Sequence, residues 1–373
     1  MNAKRIIAVV GATGAQGGGL ARAILGDPSS SYAVRALVRD PSSEKARALA
    51  RAGAEVVQAD IDDEAALTRA LQGAYGAFFV TFYWSHFSPE REQAEAAAMA
   101  RAARTAGVKH VIWSTLEDTR EFMALDDPRM PVLMQRYKVP HFDAKGESNR
   151  VFAAQGVPTT YLLTSAYWEN LIHFGWGPKR GADGRLAVAF PTGDKKIPWI
   201  GAEDIGRCAY GIFKAGSAMI GRTIGVSGEH LSGREIAAGL SRALGEPVDY
   251  FAITPEQYRA LDFPGADDLG NMWQFKRDFS DRYRAARDVN AARELNPALQ
   301  RFDDWLRYNA THPRLKDGKR ARLGRRRVRS PGAASRSRAK RCGCVPARWR
   351  RTECWRSPRR TAASPGSSFS SHR

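Results

Sequence analysis

The chain has 373 residues, enough to bury a large core as one large domain or two ordinary ones. A formal net charge of +19 would indicate a nucleic-acid or membrane-surface protein if it were spread over the fold. It is not spread: residues 314–373 hold 20 of the 58 basic side chains against two acids, Asp317 and Glu353, so the preceding body carries 38 bases and 37 acids, and its charge excludes nothing.

The opening MNAKRIIAVVGATG has an apolar run too short for a signal segment or a membrane span. Of the four cysteines only Cys208 lies in the body, which leaves no disulfide framework there. A soluble, cytoplasmic protein is expected. Short β-branched runs then alternate with longer Ala-rich segments of helical period, the pattern of a parallel sheet covered by helices. The periodicity predicts strands over 5–10, 33–38, 55–58, 77–80, 110–114 and 159–163, with helices over 17–25, 43–52, 64–71, 89–106 and 144–154 between them. Ser88 followed by Pro89 suits a helix start, and Gly53, Gly107 and Gly156 fall just past helix ends, where a left-handed residue is wanted. The expected fold is therefore α/β, a doubly wound parallel Rossmann sheet over residues 1–165.

After Leu163 the alternation breaks down. Residues 166–313 carry more aromatics and turn signals, with helices predicted over 202–213, 232–244 and 288–295. They read as a second, smaller mixed α/β domain whose chain partly returns to the sheet. Residues 314–373 are rich in Arg, Ser, Pro and Gly and cannot bury enough apolar surface to offset their ordering entropy. A disordered basic C-terminal tail is expected there, either a polybasic arm for nucleic acid or anionic lipid or an appendage without an evolved role. Its Cys342, Cys344 and Cys354 lack a second ligand pair for zinc, and no metal site is expected.

The first predicted strand ends in GATGAQG. Gly11 permits a tight turn, Gly14 lets the backbone approach a pyrophosphate, and Gly17 lets the next helix pack close to the strand. The helix N-terminus adds free N–H groups and a positive dipole end. The loop follows a strand and opens a helix, which points to a nicotinamide dinucleotide. The second strand runs into Arg39 and only then Asp40. A guanidinium there suits a 2′-phosphate, so NADP(H) is expected over NAD(H), with Ser42 and Ser43 as further donors and Asp40 as a helix-cap residue on the alternative view. Ligands of such sheets lie beyond the carboxyl ends of the strands. That places Asp60 and Ile61 at the adenine, and Thr81, Phe82 and Tyr83 at the nicotinamide half.

The segments GATGAQGG, GAYGAFFVTFYW, HFDAKGE, GVPTTYLLTSAYWENL, FPTGD and DFPGADDLGNMWQF, in this order, resemble the NmrA-like family, a branch of the atypical short-chain dehydrogenase/reductases. The likeness covers residues 4–310. It implies a Rossmann domain, a small α/β domain and a cleft between them. It also implies NADP contacts at Gly11, Ala12, Thr13, Gly14, Ala15, Gln16, Gly17, Arg39, Asp60, Ile61, Thr81, Phe82, Tyr83 and Lys145, and at Tyr167, Trp168, Glu169 and Asn170. One contact that the resemblance implies, a lysine in the helix after the fourth strand, falls at Ala94 here.

A catalytic short-chain dehydrogenase places a tyrosine four residues before its lysine, whose charge lowers the phenol's pKa for proton transfer. This chain has His141 before Lys145. Lys145 suits the nicotinamide ribose, and Ser114 or Thr115 suits the substrate oxygen. Imidazole is a common general acid, so His141 is a candidate, although Pro140 places it before the helix in this reading. A second match, Tyr210 to Lys214, falls on the helix predicted to cover the sheet. Two functions compete. The first is an NADP(H)-binding regulatory redox sensor without efficient turnover, offering its second domain to a protein partner, with a homodimer as a further option. The second is an NADPH-dependent reductase of a quinone, enone or aldehyde, using Lys145 and either His141 or Tyr83. Nucleic-acid binding rests on the tail alone. The aromatics Trp84, Phe87, Tyr167, Trp168, Phe174 and Trp176 serve either a flat apolar pocket or interdomain core.

Overall fold

The computed structural model describes residues 3–316; the cysteines and basic run of the tail lie outside the described residues. The first half alternates as expected: β1 (Arg5–Val10), α1 (Ala15–Leu25), β2 (Tyr32–Val38), α2 (Glu44–Arg51), β3 (Glu55–Gln58), α3 (Glu64–Leu71), β4 (Gly76–Phe79), α4 (Pro89–Ala106), β5 (His110–Thr115), α5 (Pro140–Ala154) and β6 (Thr159–Leu163). Local chemistry sets these bounds. Ser88 accepts from the Arg91 N–H to start α4 with Pro89 in its first turn, and Gly107 ends that helix at φ 69°. One bound differs in a way that matters. Helix α5 begins at Pro140 and not at residue 144, so His141 lies inside its first turn; proline fits there because its missing N–H has no helical partner to lose.

The second half is more irregular. It holds β7 (Ala166–Tyr167), α6 (Asn170–His173), β8 (Lys179–Arg180), β9 (Leu186–Ala189), β10 (Ile197–Ile200), α7 (Ala202–Ala215), β11 (Thr223–Gly225), β12 (Glu229–Leu231), α8 (Gly233–Leu244) and β13 (Val248–Phe251). Then come α9 (Pro255–Arg259), α10 (Ala266–Asp278), α11 (Ser280–Ala285), α12 (Val289–Leu295), α13 (Phe302–Asn309) and α14 (Pro313–Lys316). Leu315 on α14 is fully buried in the second-half core, so residues 314–316, read from the sequence as the start of the tail, pack with the body.

The main sheet has the order β3-β2-β1-β4-β5-β6-β11, with every neighbouring pair parallel. It is the expected Rossmann sheet with a seventh strand supplied by the second half. Side chains alternate along β1. Ile7 and Val9 enter one core with α1, α2 and α7, while Ala8 and Val10 enter the other with α3, α4 and α5. The chain reverses direction across the sheet between β1 and β4, which opens a crevice beyond their carboxyl ends. Two small sheets, β12-β10-β7 and β13-β9-β8, surround a third core rich in tryptophan.

Helix α7 returns to cover α1, and glycines set the approach. A Cβ on Gly206 would lie 2.1 Å from the Leu20 nitrogen, and one on Gly19 would lie 2.6 Å from the Glu203 carbonyl oxygen. The Tyr210–Lys214 match lies on this helix, with the Tyr210 hydroxyl donating to Asp27 Oδ2 at 2.8 Å.

Candidate cofactor site

The loop from β1 to α1 has the geometry its glycines predict. Gly11 is left-handed at φ 67°, and its carbonyl accepts the Gly14 N–H at 2.8 Å. A Cβ on Gly17 would stand 2.6 Å from the Gly11 carbonyl oxygen, so only glycine lets α1 start this close to β1. Gly14 caps α1 without a side chain and no acid occupies its first turn, which leaves the positive helix end uncompensated. Gly14 and Ala15 are exposed, Thr13 is half-buried and Ala12 is sealed under the loop. A loop of this shape leaves backbone N–H groups free to face an anion.

Gln16 looks inward. It accepts from Ser114 Oγ at 2.7 Å and donates to the Tyr167 hydroxyl at 2.5 Å, joining the β1–α1 loop, β5 and β7. Ser114 thus spends its proton on Gln16, and Thr115 spends its own on the α5 side, at Asn149 Oδ1, 2.8 Å away.

Beyond β2, Asp40 turns back on the chain and accepts both the Ser42 N–H and hydroxyl, which lowers its pKa, the Ser42 hydroxyl first. Ser43 caps α2. Asp40 is thereby consumed in the turn, whereas Arg39 is exposed and no carboxylate pairs with its guanidinium among the described residues. Asp60 and Ile61 lie just past β3, where Asp60 accepts the Asp62 N–H at 3.2 Å.

Lys145, on α5, reaches the segment just past β4. Its ammonium donates to Thr81 Oγ1 at 2.5 Å and pairs with Glu92 Oε1 at 2.8 Å, 5.1 Å from the centre of the Trp113 ring. Thr81 also donates to Glu92. Glu92, on α4, is fully buried, and sequence reasoning missed it because nothing in the periodicity of α4 separates it from a capping acid. Its other oxygen has no hydrogen-bond partner and faces His86 Nε2 at 3.5 Å, with Glu95 Oε1 3.7 Å from the same nitrogen. The trio resembles a metal site, but the Ser88 N–H donates to His86 Nδ1 at 3.0 Å. That bond puts the neutral ring's proton on Nε2, toward the carboxylates, whereas a ligating nitrogen must be bare and its partner nitrogen a donor. Burial lowers the pKa of His86 and raises that of Glu95.

His141 lies one turn before Lys145 on α5. Its Nδ1 is 2.6 Å from Asp268 Oδ1 on α10, and its backbone N–H donates to the other carboxylate oxygen at 3.2 Å. The ring packs 4.8 Å from Trp84 and 5.9 Å from Tyr83, centre to centre. Tyr83 is buried with its hydroxyl turned to the Phe87 carbonyl, and burial raises its pKa far above the ordinary range, so its phenol is a poor proton donor. Phe82 is 59% exposed at the lip of the crevice.

The segment 167–170 divides. Tyr167 joins the site through Gln16. Trp168 is fully buried, and Glu169 turns away, accepting the Ala202 N–H at 2.9 Å and the Trp305 indole N–H at 3.0 Å. Asn170 starts α6. The six aromatics divide as well. Trp84, Phe87 and Phe174 gather beside His141, whereas Trp168 and Trp176 belong to the tryptophan core and Tyr167 packs against the sheet core.

A seven-stranded parallel sheet with a glycine-rich turn at its switch point defines the Rossmann class of α/β fold. The chain belongs to the NmrA-like family, whose model matches residues 3–306. It is 33% identical over 307 residues to an NmrA-like family domain-containing oxidoreductase, FrzB, of Cladobotryum sp., covering 78% of this chain and 90% of that one. It is 32% identical over 254 residues to an NAD(P)H azoreductase of Xenophilus azovorans, covering 68% and 78%. Among solved structures it resembles NmrA, a negative transcriptional regulator determined with NADP and with NAD, at TM-score 0.65 and 23% identity over 82% of this chain and 95% of that one. At that identity the likeness to NmrA is one of fold. No described helix is long and apolar enough to cross a membrane.

Proposed function

We propose that this protein is an NADPH-dependent reductase, reversing the order of the two functions that the sequence alone suggests. When bound, the cofactor supplies a hydride to an electron-poor acceptor such as a quinone, enone or aldehyde. The observation that carries this reading is the buried Lys145–Glu92–Thr81 group. An ammonium and a carboxylate removed from water cost several kcal/mol unless closely paired. Here the pair fixes the lysine at the carboxyl ends of β4 and β5, where a nicotinamide ribose would lie. Curated relatives at or above 30% identity bear the names of oxidoreductases and reductases, which supports turnover over sensing alone.

In this reading the amides of Ala15, Gln16 and Gly17 hold the pyrophosphate, Arg39 pairs with a 2′-phosphate, and Asp60 and Ile61 flank the adenine. Lys145 orients the ribose, and Tyr167 closes the nicotinamide end. The sensor reading keeps one specific support, the absence of a phenol at position 141. Stoichiometric titration with NADPH, followed by a turnover screen with quinones and aldehydes, separates the two. Oxidation of many equivalents of NADPH, lost in Lys145→Ala, is expected; tight binding with no oxidation of any acceptor would return the protein to the sensor class.

A further inference from the structure

The geometry points to His141 and Asp268 as the proton-donating dyad that replaces the missing tyrosine, an assignment that rests on the reductase reading. The histidine comes from α5 in the sheet half and the aspartate from α10 in the other half, so the dyad exists only when the two halves are joined. The two carboxylate oxygens have separate tasks. Oδ2 accepts the His141 backbone N–H, which a helix start requires in any case. Oδ1 lies 2.6 Å from Nδ1, a contact that helix capping does not need. It fixes the tautomer with Nδ1 as donor and holds the ring plane, as an orienting carboxylate does beside a general acid or base.

The other ring nitrogen, Nε2, makes no hydrogen bond to any described residue. Trp84, Tyr83 and Phe142 pack around the ring. Because His141 and Lys145 are four residues apart on one helix, they share a face. Lys145 in turn bonds Thr81, two residues before Tyr83, so ribose-holding and proton-donating groups border the same loop after β4. Phe87 beside them is held at φ 56°, a conformation that a bulky residue adopts only when its surroundings impose it.

The acceptor carbon gains the hydride of the dihydronicotinamide cofactor, the carbonyl π pair moves to oxygen, and that oxygen takes the Nε2 proton of the doubly protonated ring. His141 is left neutral with its Nδ1–H on Asp268, and solvent returns the proton. His141 is the catalytic residue and Asp268 its positioning residue.

Two acceptors test this, because one needs a proton and the other does not. Menadione takes a hydride and a proton, whereas the carbocation dye crystal violet becomes its neutral leuco form with a hydride alone. His141→Gln is expected to lower menadione turnover about 100-fold, and at least tenfold more than it lowers dye reduction; Asp268→Asn should show the same selectivity at smaller size. Independently of turnover, the cofactor-free protein should show a far-downfield, exchange-protected imidazole N–H resonance that both variants lack. Equal losses with both acceptors, or full menadione activity in His141→Gln, would overturn the dyad while leaving the reductase reading intact. Wild-type protein that reduces neither acceptor would remove both.

Discussion

Lys145 and Glu92 show how much one buried pair constrains. Glu92 is fully buried and its first oxygen is already shared between Lys145 and Thr81. Replacing Lys145 by methionine strands that carboxylate, and we expect a loss of about 3–5 kcal/mol in urea unfolding. The double variant Lys145→Met, Glu92→Leu should regain most of it, because an apolar pair of similar volume has no charge to desolvate. A single-variant loss below about 1 kcal/mol would show that water reaches the pair. Lys145 was legible in the sequence through its spacing from His141. Glu92 and Asp268 were not: their roles depend on burial and on a partner from a distant element, and a carboxylate in a first helical turn reads as an ordinary cap in any sequence.

At the scale of elements, the glycine loop and the parallel sheet were readable because both rest on local rules, period and positive φ. The short strands were not. Thr223–Gly225 has no length over which to alternate, yet it closes the sheet beside β6 because the chain delivers it there. Helix α10 was missed because buried polar residues interrupt its apolar pattern. Asn271 and Gln274 reach back to hold the Lys138 and Arg129 carbonyls, at 2.6 Å each. The contact of α1 with α7 gives a prediction at this scale. Gly206→Ala places a methyl 2.1 Å from the Leu20 nitrogen, a backbone atom that cannot yield alone. The variant should lose about 1–3 kcal/mol and weaken cofactor binding through the displaced α1, whereas Gly221→Ala, with nothing within 4 Å, tests only its left-handed φ of 78°. Thermal unfolding with and without NADPH checks both.

For the whole molecule, the two halves meet at a buried ionic group. Arg287 is fully buried, donates to both oxygens of Glu117 at 2.5 and 2.9 Å, and donates to the Thr164 carbonyl at 2.9 Å. Lys276 lies nearby against the rings of Phe142, Trp273 and Tyr283. Burial, then the Arg287 charge, lowers its pKa from 10.5 to about 7, against the pull of Glu117. Between those values the unfolded chain holds a proton that the folded chain has released, so this lysine makes stability rise as pH increases from about 7 to about 10.5. Urea midpoints at pH 7 and about 9 should therefore show wild type and Lys276→Met with different pH dependence, the variant more stable at pH 7 and the gap smaller at the higher pH. A constant gap would mean that Lys276 stays protonated in the fold.

Calorimetric titration tests most directly whether the β1–α1 loop holds a dinucleotide pyrophosphate while Arg39 takes a further phosphate. Charge-assisted hydrogen bonds contribute about 1.5–3 kcal/mol, so NADPH should bind at least about tenfold tighter than NADH, and Arg39→Ala should erase the difference while leaving NADH affinity in place. Absence of heat with both cofactors would contradict the account at its root, whatever the activity screen shows.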